Sequence, residues 1–251
     1  MKPSRRSTKP LAAAFAVVVV ILAGSSVALA QLGRAIGSAM KAGKALTLSD
    51  EEVVASADEA CTEMDNRNTI PPDADPYAQR LARITQGLES EDGLSLNFKV
   101  YAVKDLNAFA MPNGCVRVFT GLLDLLSDEE IEGVVGHEIG HVKLGHSRAK
   151  MRTALLARAG REGVAFNSGA AGAISRSELG DLAEVVVNAQ FSQKEERAAD
   201  DYGFEFLVRH DADPTAMASA FEKLPGGGGG LISTHPDPKE RAKRIRERAQ
   251  Q

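Results

Sequence analysis

Residues His137-Glu138-Ile139-Gly140-His141 set two imidazoles four positions apart, with a carboxylate directly after the first. On a helix, positions i and i+4 share a face, so both rings can bind one metal ion from the same side. Glu138 is rotated away from the two rings yet stays beside the ion, where it can take a proton from a bound water without coordinating. Zinc lowers the pKa of such a water to about 7, and the carboxylate removes the proton as the water attacks a carbonyl. Five letters can arise by chance, and the competing reading is an ordinary surface helix. The rest of the chain has to separate the two.

A catalytic zinc takes three protein ligands and keeps one position open. His146 is the nearest further histidine. A metzincin continuation would need Gly at 144 and His at 147, and those positions hold Leu144 and Ser147. His146 therefore reads as a residue near the helix C-terminus and not as a ligand. Glu196-Arg197-Ala198-Ala199-Asp200 offers another route, a Glu and an Asp four apart on one helical face. Taken alone, Glu195, Glu196, Asp200 and Asp201 read as a solvated acidic face. With the histidine motif present, a paired-helix site of two His, one Glu and a water is the better account. Asp200 can then orient a ligand histidine through its free ring N–H.

The first thirty residues are a different material. Lys2, Arg5, Arg6 and Lys9 precede an apolar run from Leu11 to Ala23, and Ala28-Leu29-Ala30 follows with small residues where a signal peptidase cuts. That is the plan of an export signal, and the run is short of the roughly 20 residues of a membrane span. An uncleaved anchor is the alternative, since Gly24 to Ala30 can lengthen the run. Residues 31–45, rich in Gly, Ala and Lys, read as a tether ahead of a domain over 46–251. In an exported chain, Cys61 and Cys115 more often pair than stay free, and closing that loop is worth about 4 kcal/mol in the chain-entropy model. Two buried thiols are the other reading. A net charge of −4 gives no reason to expect nucleic acid as a partner.

Local signals predict a mainly helical α+β domain with a small β-sheet beside the motif helix. Ser49-Asp50-Glu51-Glu52 is a capping box opening a helix to about Arg67, and Ser127-Asp128-Glu129-Glu130 is another, opening the helix of His137. A second helix is expected from Tyr77 to about Leu88, and a half-buried strand over Leu96 to Val103 from its alternation. Asn107 to Met111 and Cys115 to Thr120 flank a Pro-Asn-Gly turn and read as a hairpin. One long helix is expected from about Glu178 to His210. Pro225 and the glycines of 226–230 form a flexible break, and a basic helix follows from Pro238.

His137 to His141, Glu196 to Asp200, and Asn107-Ala108-Phe109-Ala110 with Gly114 and Gly121-Leu122 resemble the HtpX and CAAX-prenyl-protease group of gluzincin metallopeptidases. Within that group the resemblance is to the exported, LoiP-like peptidases of the bacterial periplasm, and it runs from about residue 46 to the C-terminus. It implies a zincin-like fold and one Zn2+ per chain held by His137, His141 and Glu196. It makes Glu138 the general base and Asp200 the acid behind the ligands. His235-Pro236 with Arg241 matches a late His-Pro motif near the metal, whose His and Arg could hold an oxyanion and whose His is thought to gate the zinc. HtpX-like members carry membrane spans after the motif. Here Arg148, Lys150, Arg152, Arg158 and Arg161 argue against one, although a basic surface on lipid headgroups stays open. LoiP-like proteins are anchored by a lipidated Cys that this chain lacks.

The resemblance implies an endopeptidase of the cell envelope, acting on unfolded or misfolded proteins of the envelope or outer membrane. Substrate would lie extended along the edge formed by Asn107 to Ala110. The chief alternative is a zinc-stabilised chaperone that holds such clients without cutting them, and a membrane scaffold is a third.

Overall fold

A computed structural model describes residues 48–162, 175–225 and 230–251. The leader over 1–30, the tether over 31–45, residues 163–174 and the glycines of 226–229 lie outside the described residues.

The described residues begin with α1 (Asp50–Arg67) and α2 (Pro76–Ile84), then three strands, β1 (Asn97–Tyr101), β2 (Ala108–Ala110) and β3 (Cys115–Phe119). Next come α3 (Thr120–Leu125), α4 (Asp128–Lys143) and α5 (His146–Glu162). The remainder is helical: α6 (Arg176–Val187), α7 (Gln193–Arg209), α8 (Ala216–Lys223), α9 (Leu231–Thr234) and α10 (Pro238–Arg248). No described helix is long and apolar enough to cross a membrane.

Both expected capping boxes are in place. Ser49 and Glu52 satisfy each other's backbone N–H groups at 3.2 and 2.9 Å, and Ser127 and Glu130 do so at 3.3 and 2.8 Å. These are donors that the first turn of a helix leaves without an internal partner. Helix α2 stops at Ile84, short of Leu88, where Thr85 bonds back to Leu81 and Gly87 takes a φ of 87° that ends a helix readily. The single helix expected from Glu178 to His210 is two, α6 and α7. Asn188 ends the first by bonding back to Glu184, and a further capping box, Ser192 with Glu195, opens the second.

The sheet order is β1-β3-β2, with β3 in the centre. The expected hairpin forms, β2 antiparallel to β3 with Phe109 opposite Arg117, whereas β1 runs parallel to β3. The strand ends at Tyr101 and not at Val103, and its half-buried reading fails because Tyr101 is 0% exposed. The cause is that helices cover both faces. Val100, Ala108, Ala110, Val116 and Val118 pack with α4, α7 and α8, while Tyr101, Phe109, Met111 and Cys115 pack with α1, α5 and α6.

Two ties hold α1 to the second face. A disulfide joins Cys61 of α1 to Cys115 of β3, with Cα atoms 6.6 Å apart, as expected. Beside it the buried Arg117 guanidinium grips Asp65 of α1 through two bonds of 2.8 and 2.9 Å, and Lys99 and Tyr101 reach the same carboxylate. Burial alone would raise the Asp65 pKa, but the bonds from Arg117 and Lys99 bring it below the usual carboxylate value. A lowered pKa means stability that is present above the ordinary carboxylate range and lost as pH falls. Asp65→Ala leaves a buried guanidinium unpaired and is expected to lower unfolding stability by about 3–5 kcal/mol, measured by urea denaturation at pH 7.

Candidate metal centre

Helices α4 and α7 meet through glycine. A Cβ on Gly136 would collide with the Phe206 ring, and one on Gly203 would sit 3.0 Å from Met217 Sδ and 3.2 Å from the His137 nitrogen. With hydrogen at these positions the two backbones come close enough for the i, i+4 pairs His137/His141 and Glu196/Asp200 to face one point. The approach also brings in His235, which follows α9, and Arg241 of α10.

His137 Nε2 lies 3.1 Å from His141 Nε2 and 3.2 Å from His235 Nδ1. Glu196 completes the group, with carboxylate oxygens 2.9 Å from His235 Nδ1, 3.5 Å from His141 Nε2 and 3.6 Å from His137 Nε2. All four residues are buried. The donor set fits a zinc-sized cation: donors about 2.0–2.1 Å from a tetrahedral zinc stand roughly 3.3 Å apart, close to the separations seen here. Ring partners agree. His137 Nδ1 faces Asp200 Oδ1 at 3.1 Å and His141 Nδ1 faces His146 Nδ1 at 3.0 Å. With each Nδ1 engaged outward, the Nε2 lone pairs point into the cluster.

Protonation follows from burial and charge. Burial pushes the His141 pKa well below its ordinary value, and neighbouring histidines add to the effect against a bond to Glu196. Burial would raise the pKa of Glu196, but His235 and His141 lower it on balance. Asp200 likewise stays ionised against burial because of the Arg241 charge and a bond from His137. A neutral imidazole and an ionised carboxylate are the forms that bind metal.

Every residue expected at the centre is there. Glu138 is buried beside the cluster, and its Oε1 lies 3.4 Å from His235 Nε2 with no hydrogen-bond partner among the described residues. Arg241, expected near an oxyanion, spends its donors otherwise: Nη1 is 2.5 Å from Glu196 Oε2, Nε is 3.0 Å from Asp200 Oδ2, and Nη2 is 2.5 Å from Asp200 Oδ1. That geometry makes it a clamp on the two acids. His146 lies just past the C-terminus of α4, opens α5, and supports His141 from outside the ligand set.

Strand β2 forms one wall of a cleft over the centre, in which Phe109, Ala110 and Met111 face Glu138, His235 and Phe191. Phe191 was not singled out in the sequence. It lies in the break between α6 and α7 and stacks flat on His141, ring centres 3.7 Å apart. The signal that could have found it is Ser192-x-x-Glu195, the same capping pattern read at Ser49 and Ser127.

The description of Peptidase family M48 matches residues 77–249. The chain belongs to this family. Metalloprotease LoiP of Escherichia coli K12 is 44% identical over 218 residues, covering 85% of this chain and 86% of that one. Metalloprotease YcaL of the same strain is 43% identical over 219 residues with the same coverage. A Protease HtpX homolog of Thermococcus sibiricus is 28% identical over 222 residues, 69% of this chain and 75% of the relative. As an M48 metalloprotease the chain depends on a metal, and the group of His137, His141, Glu196 and His235 is the one cluster of this kind among the described residues.

Glu196→Ala removes the only anionic donor from that group. The variant is expected to purify folded, by circular dichroism, with bound metal reduced to a small fraction of the wild-type content by elemental analysis.

Proposed function

We propose that this M48 metalloprotease is a zinc endopeptidase of the bacterial cell envelope that cuts unfolded or misfolded polypeptides. The observation that carries the reading is Glu138: a buried carboxylate oxygen without a hydrogen-bond partner among the described residues, lining a cleft beside a donor set with zinc-like spacing. His137, His141 and Glu196 would hold zinc, which when bound polarises a carbonyl and acidifies a water. Glu138 then takes the proton of the attacking water and returns it to the leaving nitrogen. Asp200 orients the His137 ring through Nδ1, and Arg241 holds Glu196 and Asp200 in place.

Backbone pairing supports unfolded chains as substrate. In the β2–β3 ladder Asn107 and Met111 bond to β3, so the amide groups of Ala108 and Ala110 point away from it. Leu106 C=O already accepts from the Leu231 amide at 2.8 Å, and Ala110 C=O from Ser147 Oγ at 2.8 Å. Among the described residues, Ala108 N–H and C=O and Ala110 N–H have no other partner and can pair with an added strand. Such pairing ignores side chains and requires an extended backbone.

The leader-like residues 1–30 and the disulfide support export, with the described domain facing the periplasm and membrane association through the N-terminus. His235 supports a second reading. Its Nδ1 fills the fourth place in the donor set, and four protein donors are the mark of a structural zinc. A zinc-stabilised chaperone would have that closed set; a peptidase must free the position, which makes His235 its gate.

Glu138→Gln is expected to retain one zinc per chain and to lose casein cleavage by about 10²–10⁴-fold, followed by release of labelled peptides. Cleavage at the wild-type rate would remove Glu138 from the role of base. His235→Ala separates the readings further: faster cleavage fits a gate, while loss of zinc together with absent wild-type cleavage fits the chaperone.

A further inference from the structure

Lys150 of α5 has no role in the reading above, yet it faces the same cleft. Its ammonium bonds to the Ala189 carbonyl and lies 3.0 Å from the centre of the Phe191 ring. Of the three imidazoles around that ring, His141 is nearest, tilted by 17° with its centre 3.7 Å away, while His235 and His146 lie at 5.3 and 6.3 Å. Two groups this close to one ring centre cannot share a face. The Phe191 ring is therefore held between an ammonium on one side and a metal-site imidazole on the other.

The Phe191 backbone is tied as well, since its amide donates to Thr234 C=O at 3.1 Å, one residue before His235. The break between α6 and α7 thus touches both histidines that come from outside the first turn of the motif. Lys150 is what fastens this break to α5, through Ala189 and the ring together. No carboxylate of a described residue reaches Lys150 within ion-pair distance. Glu138, Glu196 and Glu195 act on it only from further away, and burial pushes its pKa down to about 8. A pKa lowered on folding means that the charge opposes folding at neutral pH, a burden relieved as pH rises from about 8 towards the ordinary lysine value.

We propose that Lys150 is a positioning residue of the metal centre, pinning Phe191 flat on His141 so that the imidazole is presented to the metal in one orientation. A cation over an aromatic face is attracted by the ring's negative face, and the attraction strengthens with desolvation. A ring stacked on a ligand imidazole restricts its rotation in the way that outer hydrogen bonds to metal-binding histidines do. This inference rests on the proposed metal site, and its test keeps the two apart.

Zinc affinity is measured on full-length, metal-stripped protein by competition with a coloured chelator, alongside thermal unfolding of the same metal-free samples. Lys150→Met and Phe191→Leu are each expected to weaken zinc binding by about tenfold. The double variant should be no weaker than either single one, because the two side chains act through one stack. Lys150→Arg should recover most of the affinity, since a guanidinium also stacks on a ring. Metal-free unfolding of Lys150→Met should match the wild type or exceed it. Wild-type zinc affinity in Lys150→Met overturns the inference, as does a loss of affinity accompanied by an equal loss of metal-free stability. Unchanged affinity with KM raised only for peptides bearing acidic residues would make Lys150 a contact for substrate carboxylates instead. A wild-type protein that binds no zinc sinks the metal site itself, and this inference with it.

Discussion

The structure depends on the contact between α4 and α7. Each helix carries half of a metal site, and neither half is complete without the other. Side chains on two packed helices ordinarily hold the axes 8–10 Å apart. Gly136 and Gly203 remove that spacer at the level of His137, and the Phe206 ring fills the space where a methyl group would have gone. The ligand geometry is therefore a property of a helix crossing, set by an absence of side chain at Gly136, Gly140 and Gly203.

Charge is the second constraint. The centre buries three carboxylates, Glu138, Glu196 and Asp200, with one permanent cation, Arg241. Buried charges are retained only when paired or bound to metal. Arg241 covers Asp200 with two bonds and touches Glu196, which accounts for part of the negative charge. The remaining excess is what a divalent cation would neutralise, and Glu138 is left as the acid with an oxygen unengaged.

Much of this was legible in the residues. The i, i+4 pairs, both capping boxes and the hairpin rest on local rules, and local rules survive folding; the cysteine pair, 54 residues apart, rests on the oxidising compartment expected for an exported chain. What was misread depended on neighbours that a sequence does not display. The strand over Leu96 to Val103 reads as half-buried because alternation along one strand cannot report that α1 covers Tyr101. His146 reads as the end of one helix, and the turn at Gly145, with φ 76°, makes it the start of the next as well. The long helix over Glu178 to His210 hid its break because Asn188 to Phe191 contains neither Gly nor Pro. Only the cap at Ser192 marks it, and that break delivers Phe191 to the site.

The disulfide has a mechanical meaning. Helix α1 lies ahead of residue 77, where the M48 match begins, and Cys61 sits well inside it. A pull on the chain before Asp50 could unwind α1 only as far as Cys61, where a covalent bond hands the load to β3. As the central strand, β3 shares that load with a neighbour on each side. The path runs from the N-terminal side of the domain into the sheet, so tension from that side meets the sheet before it meets the crossing of α4 and α7.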